Sequence, residues 1–522
     1  MNLPDYFEDA KNARDKLNEI SPTVCMAKWL QVTMHLPAGL THSCHHPPAH
    51  KIPLDELSEN PRALHNTVQK AKERREMWQG KRPSGCTYCW NIEDAPNGPH
   101  LSDRHYRSGE WWVADAWQEV VDGTWDENIN PRYVEVNFNQ ACNLKCTYCS
   151  PHLSTAWERE VQAMGPFILA NGQSHNNLDA LADKNIMPLS VSQKDNPYVT
   201  AFWKWWPELY PDLKVFRMTG GEPLMDKNTF RVFDYIATQQ FPNSNLELSV
   251  TSNMSPDHDS IFDTFLESVK RLETVRRWND PAVVTDEKSN YWVTAFKNFS
   301  LFVSVDSTHQ QAEYIRTGLD YNKMLGNVRE FLSQTQRTEV NFINTFSLLS
   351  IPQLKNYLQM ILDLRIEFGY DTQLNKQIMP PRGADPKKWS PSPILPRQRI
   401  WFDIPLLTKP EFMSANLAII SNELMNELNE CVRFMESNVS DNYSLTYHGF
   451  KQYEIAKLKR NISLITQNKE DTLSKLDHNM ENFYLFFSQI DSRRNQSFVE
   501  TFPELVEWWD KCKNIAKQKG NK

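Results

Sequence analysis

Between residues 132 and 379 the chain alternates short apolar runs with longer stretches whose apolar positions recur every three or four residues. The short runs, at 133–138, 213–218, 246–250, 299–305, 340–346 and 374–379, have strand character, and the stretches between them have helical character. Six such β/α units in series predict an α/β fold built on a parallel barrel or part-barrel. Two polar stretches, 165–200 and 276–291, interrupt the alternation and are expected to be loop insertions, which such folds tolerate.

The two ends follow other patterns. After an opening helical stretch, Trp29-Leu30-Gln31-Val32-Thr33-Met34-His35 and Leu40-Thr41-His42-Ser43-Cys44 flank a Pro37-Ala38-Gly39 turn, which predicts a β-hairpin. Asn60-Pro61 opens a charged helix that runs to Gly80 and delivers Pro83-Ser84-Gly85-Cys86-Thr87-Tyr88-Cys89 in a loop. Beyond the Pro-rich stretch 380–396, segments such as 423–435 and 471–490 are helical in period, and the lysine-rich residues 511–522 read as a frayed, solvated tail. The chain therefore divides into a small N-terminal α+β segment bearing cysteines (1–130), a barrel-forming segment (131–395) and a helical C-terminal region (396–522).

Composition narrows the class. With 40% hydrophobic and 23% charged residues in 522, the chain has the make-up of a soluble globular protein, and no long uncharged apolar run predicts a membrane span. The N-terminus shows neither the basic region nor the apolar stretch of a secretory signal, so a cytoplasmic protein is expected. A net charge of −8, from 57 basic and 65 acidic side chains, argues against a general nucleic-acid surface. The nine cysteines are odd in number and concentrated in the first third of the chain, a distribution that suits metal or cluster ligation better than a disulfide framework.

The sharpest signal follows the first barrel strand. Asn139-Gln140-Ala141-Cys142-Asn143-Leu144-Lys145-Cys146-Thr147-Tyr148-Cys149 places three thiols in one short loop. A [4Fe–4S] cluster needs four thiolates for complete coordination, so three leave one iron open, where a cofactor can bind. Buried free thiols or three-quarters of a zinc site are the bland alternatives; the second lacks an obvious local fourth ligand. The spacing Cys-x-x-x-Cys-x-aromatic-Cys resembles that of the radical S-adenosylmethionine (radical SAM) superfamily, which Cys142, Cys146, Tyr148 and Cys149 match in full. The resemblance implies a partial TIM-like (β/α)6 barrel, a [4Fe–4S] cluster on the three cysteines, and S-adenosylmethionine chelated by the open iron. It further implies reductive cleavage to a 5′-deoxyadenosyl radical that abstracts hydrogen from substrate, with Tyr148 against the adenine.

Met218-Thr219-Gly220-Gly221-Glu222-Pro223 ends the second strand with two glycines that free the backbone for close approach. By the same resemblance Gly220, Gly221 and Glu222 contact the methionine amino group. Later strand ends carry weaker matches: Ser252 and Asn253 are implied to border the cofactor, and Ser304, Asp306 and Arg316 to hold its ribose or carboxylate. Read alone, each is equally a cap or turn residue. No clear glycine-rich adenine motif marks the fifth strand.

Cys25, Cys44, Cys86 and Cys89 form a second set, outside the barrel-forming segment, and four thiolates can close either a cluster or a zinc site. This segment resembles the N-terminal twitch domain of one group of radical SAM proteins, which implies an auxiliary [4Fe–4S] cluster; structural zinc is the alternative, with His45 or His46 as possible substitutes. His35, His42, His45, His46 and His50 cluster nearby and are expected to be surface or supporting residues. The runs Trp203-Lys204-Trp205-Trp206 and Glu110-Trp111-Trp112 read as core or contact residues. The expected function is a radical SAM enzyme acting on an unknown substrate, a peptide or protein being favoured, supplied with electrons by a flavodoxin or ferredoxin. A non-catalytic zinc- or cluster-binding protein on the same fold, and a radical SAM enzyme acting on a nucleoside or sugar, are the alternatives.

Overall fold

A computed structural model describes residues 6–96, 98, 100–125, 127–278, 290–368, 398–440 and 448–520. Its main sheet has nine strands: β1 (Gln31–His35), β2 (Leu40–His42), β3 (His50–Lys51), β4 (Tyr133–Asn137), β5 (Val215–Thr219), β6 (Glu247–Ser252), β7 (Asn298–Ser304), β8 (Thr338–Ile343) and β9 (Ile400–Asp403). Their order is β9-β8-β7-β6-β5-β4-β1-β2-β3. All pairs from β9 through β1 are parallel, while β1-β2 and β2-β3 are antiparallel. Among the described residues the outer strands β9 and β3 are not joined, so the sheet is open.

The α/β expectation holds, and five of the six expected strands lie where the alternation puts them. The sixth, at 374–379, falls outside the described residues; the strand beside β8 is Ile400–Asp403, on the far side of the Pro-rich stretch. The N-terminal hairpin forms as expected but is continuous with the main sheet, because β1 pairs in parallel with β4 from Gln31↔Tyr133 to His35↔Asn137. The polar stretch beginning at 276 is bounded by an antiparallel ribbon, Val275–Trp278 with Asn290–Val293.

Strand alternation sorts the two faces of the sheet. Val134, Val136, Phe216, Met218, Leu248, Val250, Leu301, Val303, Val340 and Phe342 are fully buried, each contributing about 1.5–3 kcal/mol of transfer free energy. Amphipathic helices cover this face: Phe233, Phe265 and Phe331, from Lys227–Thr238, Asp259–Glu273 and Tyr321–Gln334, close on Phe299 of β7 with ring centroids 6.1–6.2 Å apart. The other face is polar at its centre. There Arg217 of β5 donates to Thr251 Oγ1 at 3.2 Å, lies 3.8 Å from the Glu135 carboxylate and stacks on Phe302 at 4.0 Å.

The C-terminal region is helical, as its period predicts, but its last stretch is not frayed. Val506–Gly520 is a helix in which Trp508 and Trp509 pack on Phe483 and Tyr484 of helix Leu476–Arg494. Trp508, Trp509 and Cys512 are buried, and this apolar stripe outweighs the local lysine content.

Candidate cofactor site at the three-cysteine loop

The chain leaves β4 at Asn137 and enters the cysteine loop directly. Lys145 and Cys146 pair antiparallel with Thr317 and Arg316, so a residue far along the chain is brought against the thiols: Arg316 Nη1 donates to Cys146 Sγ at 3.6 Å. The turn is closed by Cys149 N donating to Cys146 O at 2.9 Å and fixed from outside by Trp157 Nε1, which donates to the same carbonyl at 2.8 Å. Cys142 N donates to Thr155 Oγ1 at 3.2 Å, and Leu144 N donates to the Cys142 sulfur at 3.5 Å.

Two asparagines join the loop to the ends of β5 and β6. Asn139 accepts from Ala141 N and donates to Asp226, both at 2.6 Å. Asn143 donates to Ser255 O at 2.8 Å and accepts from Asn253 Nδ2 at 2.9 Å.

The Gly220-Gly221-Glu222 turn lies against this loop. Gly220 has φ +130°, and a Cβ there would stand 2.4 Å from Asn137 Oδ1; a Cβ on Gly221 would stand 2.3 Å from Ala141 O. No side chain fits at either position. Glu222 N donates to Ala141 O at 2.6 Å, and its carboxylate, buried beneath, accepts from Ser252 Oγ (2.8 Å), Asn253 N (2.7 Å) and Leu224 N (3.0 Å). Burial nevertheless pushes the Glu222 carboxyl up to about 7, against those three donors.

Asp306, just past the end of β7, is the hub of a second group. Its carboxylate accepts from Arg316 Nε (2.8 Å) and Nη2 (3.1 Å), Tyr148 OH (2.8 Å) and Thr345 N (2.8 Å). The expected cofactor residues Tyr148, Asp306 and Arg316 thus hold one another, whereas Ser304 closes β7 in register with Ile343. Burial raises all three thiols, Cys149 to about 12; at Cys146 the neighbouring Arg316 and Arg494 act in the opposite sense. Around the loop, Asn137 Oδ1, Gln140 Oε1 and Thr147 Oγ1 are buried without a hydrogen-bond partner. Soft thiol donors, a cationic neighbour and orphaned polar atoms fit a bound iron–sulfur cluster and polar cofactor.

The four N-terminal cysteines also come together. Cys25 precedes helix Ala27–Leu30, Cys44 follows β2, and Cys86 and Cys89 flank the start of helix Thr87–Glu93. All four line one cavity of about 20 Å³ together with Lys28, His46 and Arg104. Burial raises Cys25 and Cys89 to about 12 and Cys44 to about 11, and each thiol is pushed further by others of the set. Lys28, itself buried and paired with Glu73 at 2.5 Å, draws Cys86 in the opposite direction. Among the described residues no three His, Cys, Asp or Glu side chains are grouped as for a single metal ion. His46 leans on Tyr88, ring centroids 3.6 Å apart, and pairs with Asp103 at 2.5 Å; His35 and His42 stack at 5.3 Å.

No protein-family model and no curated protein matches the chain. Among solved structures it is similar to two crystal structures of Streptococcus suis SuiB, one bound to the precursor peptide SuiA and one bound to S-adenosylmethionine. Identity is 14% in each; the match covers 64% of this chain and 60% of SuiB, with TM-scores of 0.23 and 0.26.

Several site residues carry no local motif. Arg494, at the end of helix Leu476–Arg494, donates to Lys145 O at 2.8 Å, contacts Glu160 at 3.2 Å and stacks over Trp157 at 4.8 Å, so the C-terminal region buttresses the cysteine loop. Nothing near it in sequence marks it. Glu135 and Arg217 were detectable, as lone charges within otherwise apolar strands. No helix among the described residues is long and apolar enough to cross a membrane.

Proposed function

We propose that the chain is a radical SAM enzyme holding a [4Fe–4S] cluster on Cys142, Cys146 and Cys149, with S-adenosylmethionine beside it, and that its substrate is a peptide or protein. One observation carries the reading: the cysteine loop and the Gly220-Gly221-Glu222 turn are packed so closely that neither glycine can bear a side chain. When bound, the cluster and S-adenosylmethionine supply reductive carbon–sulfur cleavage to a 5′-deoxyadenosyl radical that abstracts hydrogen.

The chain's own residues supply binding and orientation. Arg316, donating to the Cys146 sulfur, offsets thiolate charge. Glu222 presents a carboxylate to an ammonium group, and Ser252 and Asn253 fix its direction. Gly220 and Gly221 let this turn close directly on the backbone of the cysteine loop at Asn139 and Ala141. Asp306 spends its acceptors on Arg316, Tyr148 and Thr345, so it acts by holding the Tyr148 ring and Arg316 in place; Ser304 keeps the ribose or carboxylate role. Cys25, Cys44, Cys86 and Cys89 would hold an auxiliary [4Fe–4S] cluster, whose negative charge Lys28 and Arg104 would balance, with zinc as the alternative. The peptide assignment rests on the N-terminal segment's resemblance to twitch-bearing proteins, many of which modify peptides.

The test is anaerobic reconstitution with iron and sulfide, followed by S-adenosylmethionine and dithionite. About eight irons per chain and 5′-deoxyadenosine are expected, with product lost in Cys146→Ala. About four irons with one tightly bound zinc would give the N-terminal set a structural role. A fully loaded protein that makes no 5′-deoxyadenosine contradicts the enzyme and leaves a non-catalytic binding protein.

A further inference from the structure

An open groove of about 550 Å³ runs between helix Pro197–Leu209 and the start of helix Lys227–Thr238, bordered by Lys194, Lys204, Lys227, Arg231, Trp203 and Asn228. All four cations are exposed. Among the described residues none of the four is paired with a carboxylate, and Arg231 lies over the Trp203 ring at 3.9 Å. In a chain of net charge −8 this is a local reversal of sign. Cations on long exposed stems attract a charged surface from a distance; they do not enclose a small anion. Asn228, the buried polar side chain of the lining, is already engaged, accepting from Trp203 Nε1 at 2.8 Å and donating to Asp226 at 3.1 Å.

The groove is also connected to the cysteine loop. From Trp203 the hydrogen bonds run through Asn228 to Asp226, from Asp226 to Asn139 at 2.6 Å, and from Asn139 to Ala141, the neighbour of Cys142. In parallel, Trp203 stacks with Phe138, at 6.3 Å and 8° between planes, and Phe138 leads directly into the loop. A half-buried tryptophan ringed by cations is the kind of anchor found at the centre of transient protein contacts.

We infer that this groove is the docking surface for a small acidic electron-carrier protein that reduces the centre held by Cys142, Cys146 and Cys149. The inference rests on the radical SAM reading, which requires an electron from outside. The carrier is oxidised by one electron, the centre is reduced by one, and no atom is transferred. The groove's four exposed cations, in a chain whose net charge is −8, favour an acidic carrier at this place and bias its orientation.

The experiment uses the reconstituted full chain and an acidic flavodoxin, fully reduced, as probe. In the variant Lys204→Glu/Lys227→Glu/Arg231→Glu, the Kd for flavodoxin should rise about tenfold or more at low salt, and flavodoxin-driven reduction should slow to match. Reduction by dithionite should stay unchanged, which shows that the fold and the centre are intact. Lys204→Gln/Lys227→Gln/Arg231→Gln, which removes charge without reversing it, should fall between and flatten the salt dependence of binding. Equal affinity and salt dependence in wild type and variants overturns the inference. So does a wild type that dithionite reduces but flavodoxin neither binds nor reduces, or one that instead binds an acidic peptide in the groove. A loaded protein that yields no 5′-deoxyadenosine with dithionite refutes the radical SAM reading instead, and flavodoxin binding still decides the surface.

Discussion

Arg316 stands between Asp306 and Cys146, donating to both oxygens of the carboxylate at 2.8 and 3.1 Å and to the sulfur at 3.6 Å. The two-residue pairing of Arg316–Thr317 with Lys145–Cys146 makes this possible. One side chain thereby couples the end of β7 to the cysteine loop.

Removing one partner of this buried pair leaves the other charge uncompensated. Asp306→Ala should therefore cost about 3–5 kcal/mol in urea unfolding and reduce iron retained at the three-cysteine loop. A loss below about 1 kcal/mol, typical of exposed pairs, would contradict the contacts described.

Gly221→Ala puts a methyl group against two backbone carbonyls, Ala141 O and Gln140 O at 2.3 and 2.6 Å, neither of which can move as a side chain would. Overpacking of this kind costs about 1–3 kcal/mol. Thermal unfolding should report that loss together with poorer iron retention, whereas Gly326→Ala, in helix Tyr321–Gln334 with nothing within 4 Å of the added Cβ, should cost no stability and retain iron normally.

Arg494→Ala deletes the link between the C-terminal helix and the loop. Amide hydrogen exchange across residues 142–149 should accelerate, because Lys145 O loses its guanidinium donor and Trp157 loses the group stacked on it. Exchange in β8, remote from this contact, should not change; uniform acceleration would indicate global destabilisation instead.

His65 provides a pH signature. It is fully buried and held well below its ordinary range, first by burial and then by Lys70 and Arg74. A depressed folded value means that its contribution is complete above about pH 6.5, where both states are neutral. It is lost as pH falls, because the unfolded state takes up the proton first. Stability of the metal-free protein should decline by up to about 1.4 kcal/mol per pH unit below 6.5 from this group. The decline should be shallower in His65→Gln; equal slopes in the two proteins would exclude His65 as its source.

What was legible in the sequence was whatever local period and spacing encode. Alternation located five strands because each buries one face, and the spacing of Cys142, Cys146 and Cys149 marked one short loop carrying three thiols, which the fold sets against the Gly220-Gly221-Glu222 turn. Gly220 and Gly221 were readable as points of close approach, since only glycine tolerates them. The N-terminal hairpin was equally readable, but not its pairing with β4, because register between distant strands is written in neither strand alone.

Tertiary structure decided the rest, for physical reasons specific to each residue. The surroundings of Asp306 are one case, for the four donors on its carboxylate require Tyr148, Arg316 and Thr345 to converge from separate elements. Lys204, Lys227 and Arg231 belong to two helices whose cations share a groove only once β4 and β5 are neighbours. Arg494 reaches the loop from far along the chain, and a long-range contact of that kind leaves no periodicity to detect. Sequence alone thus determined which positions alternate and which thiols are neighbours along the chain, while folding determined which charges surround them.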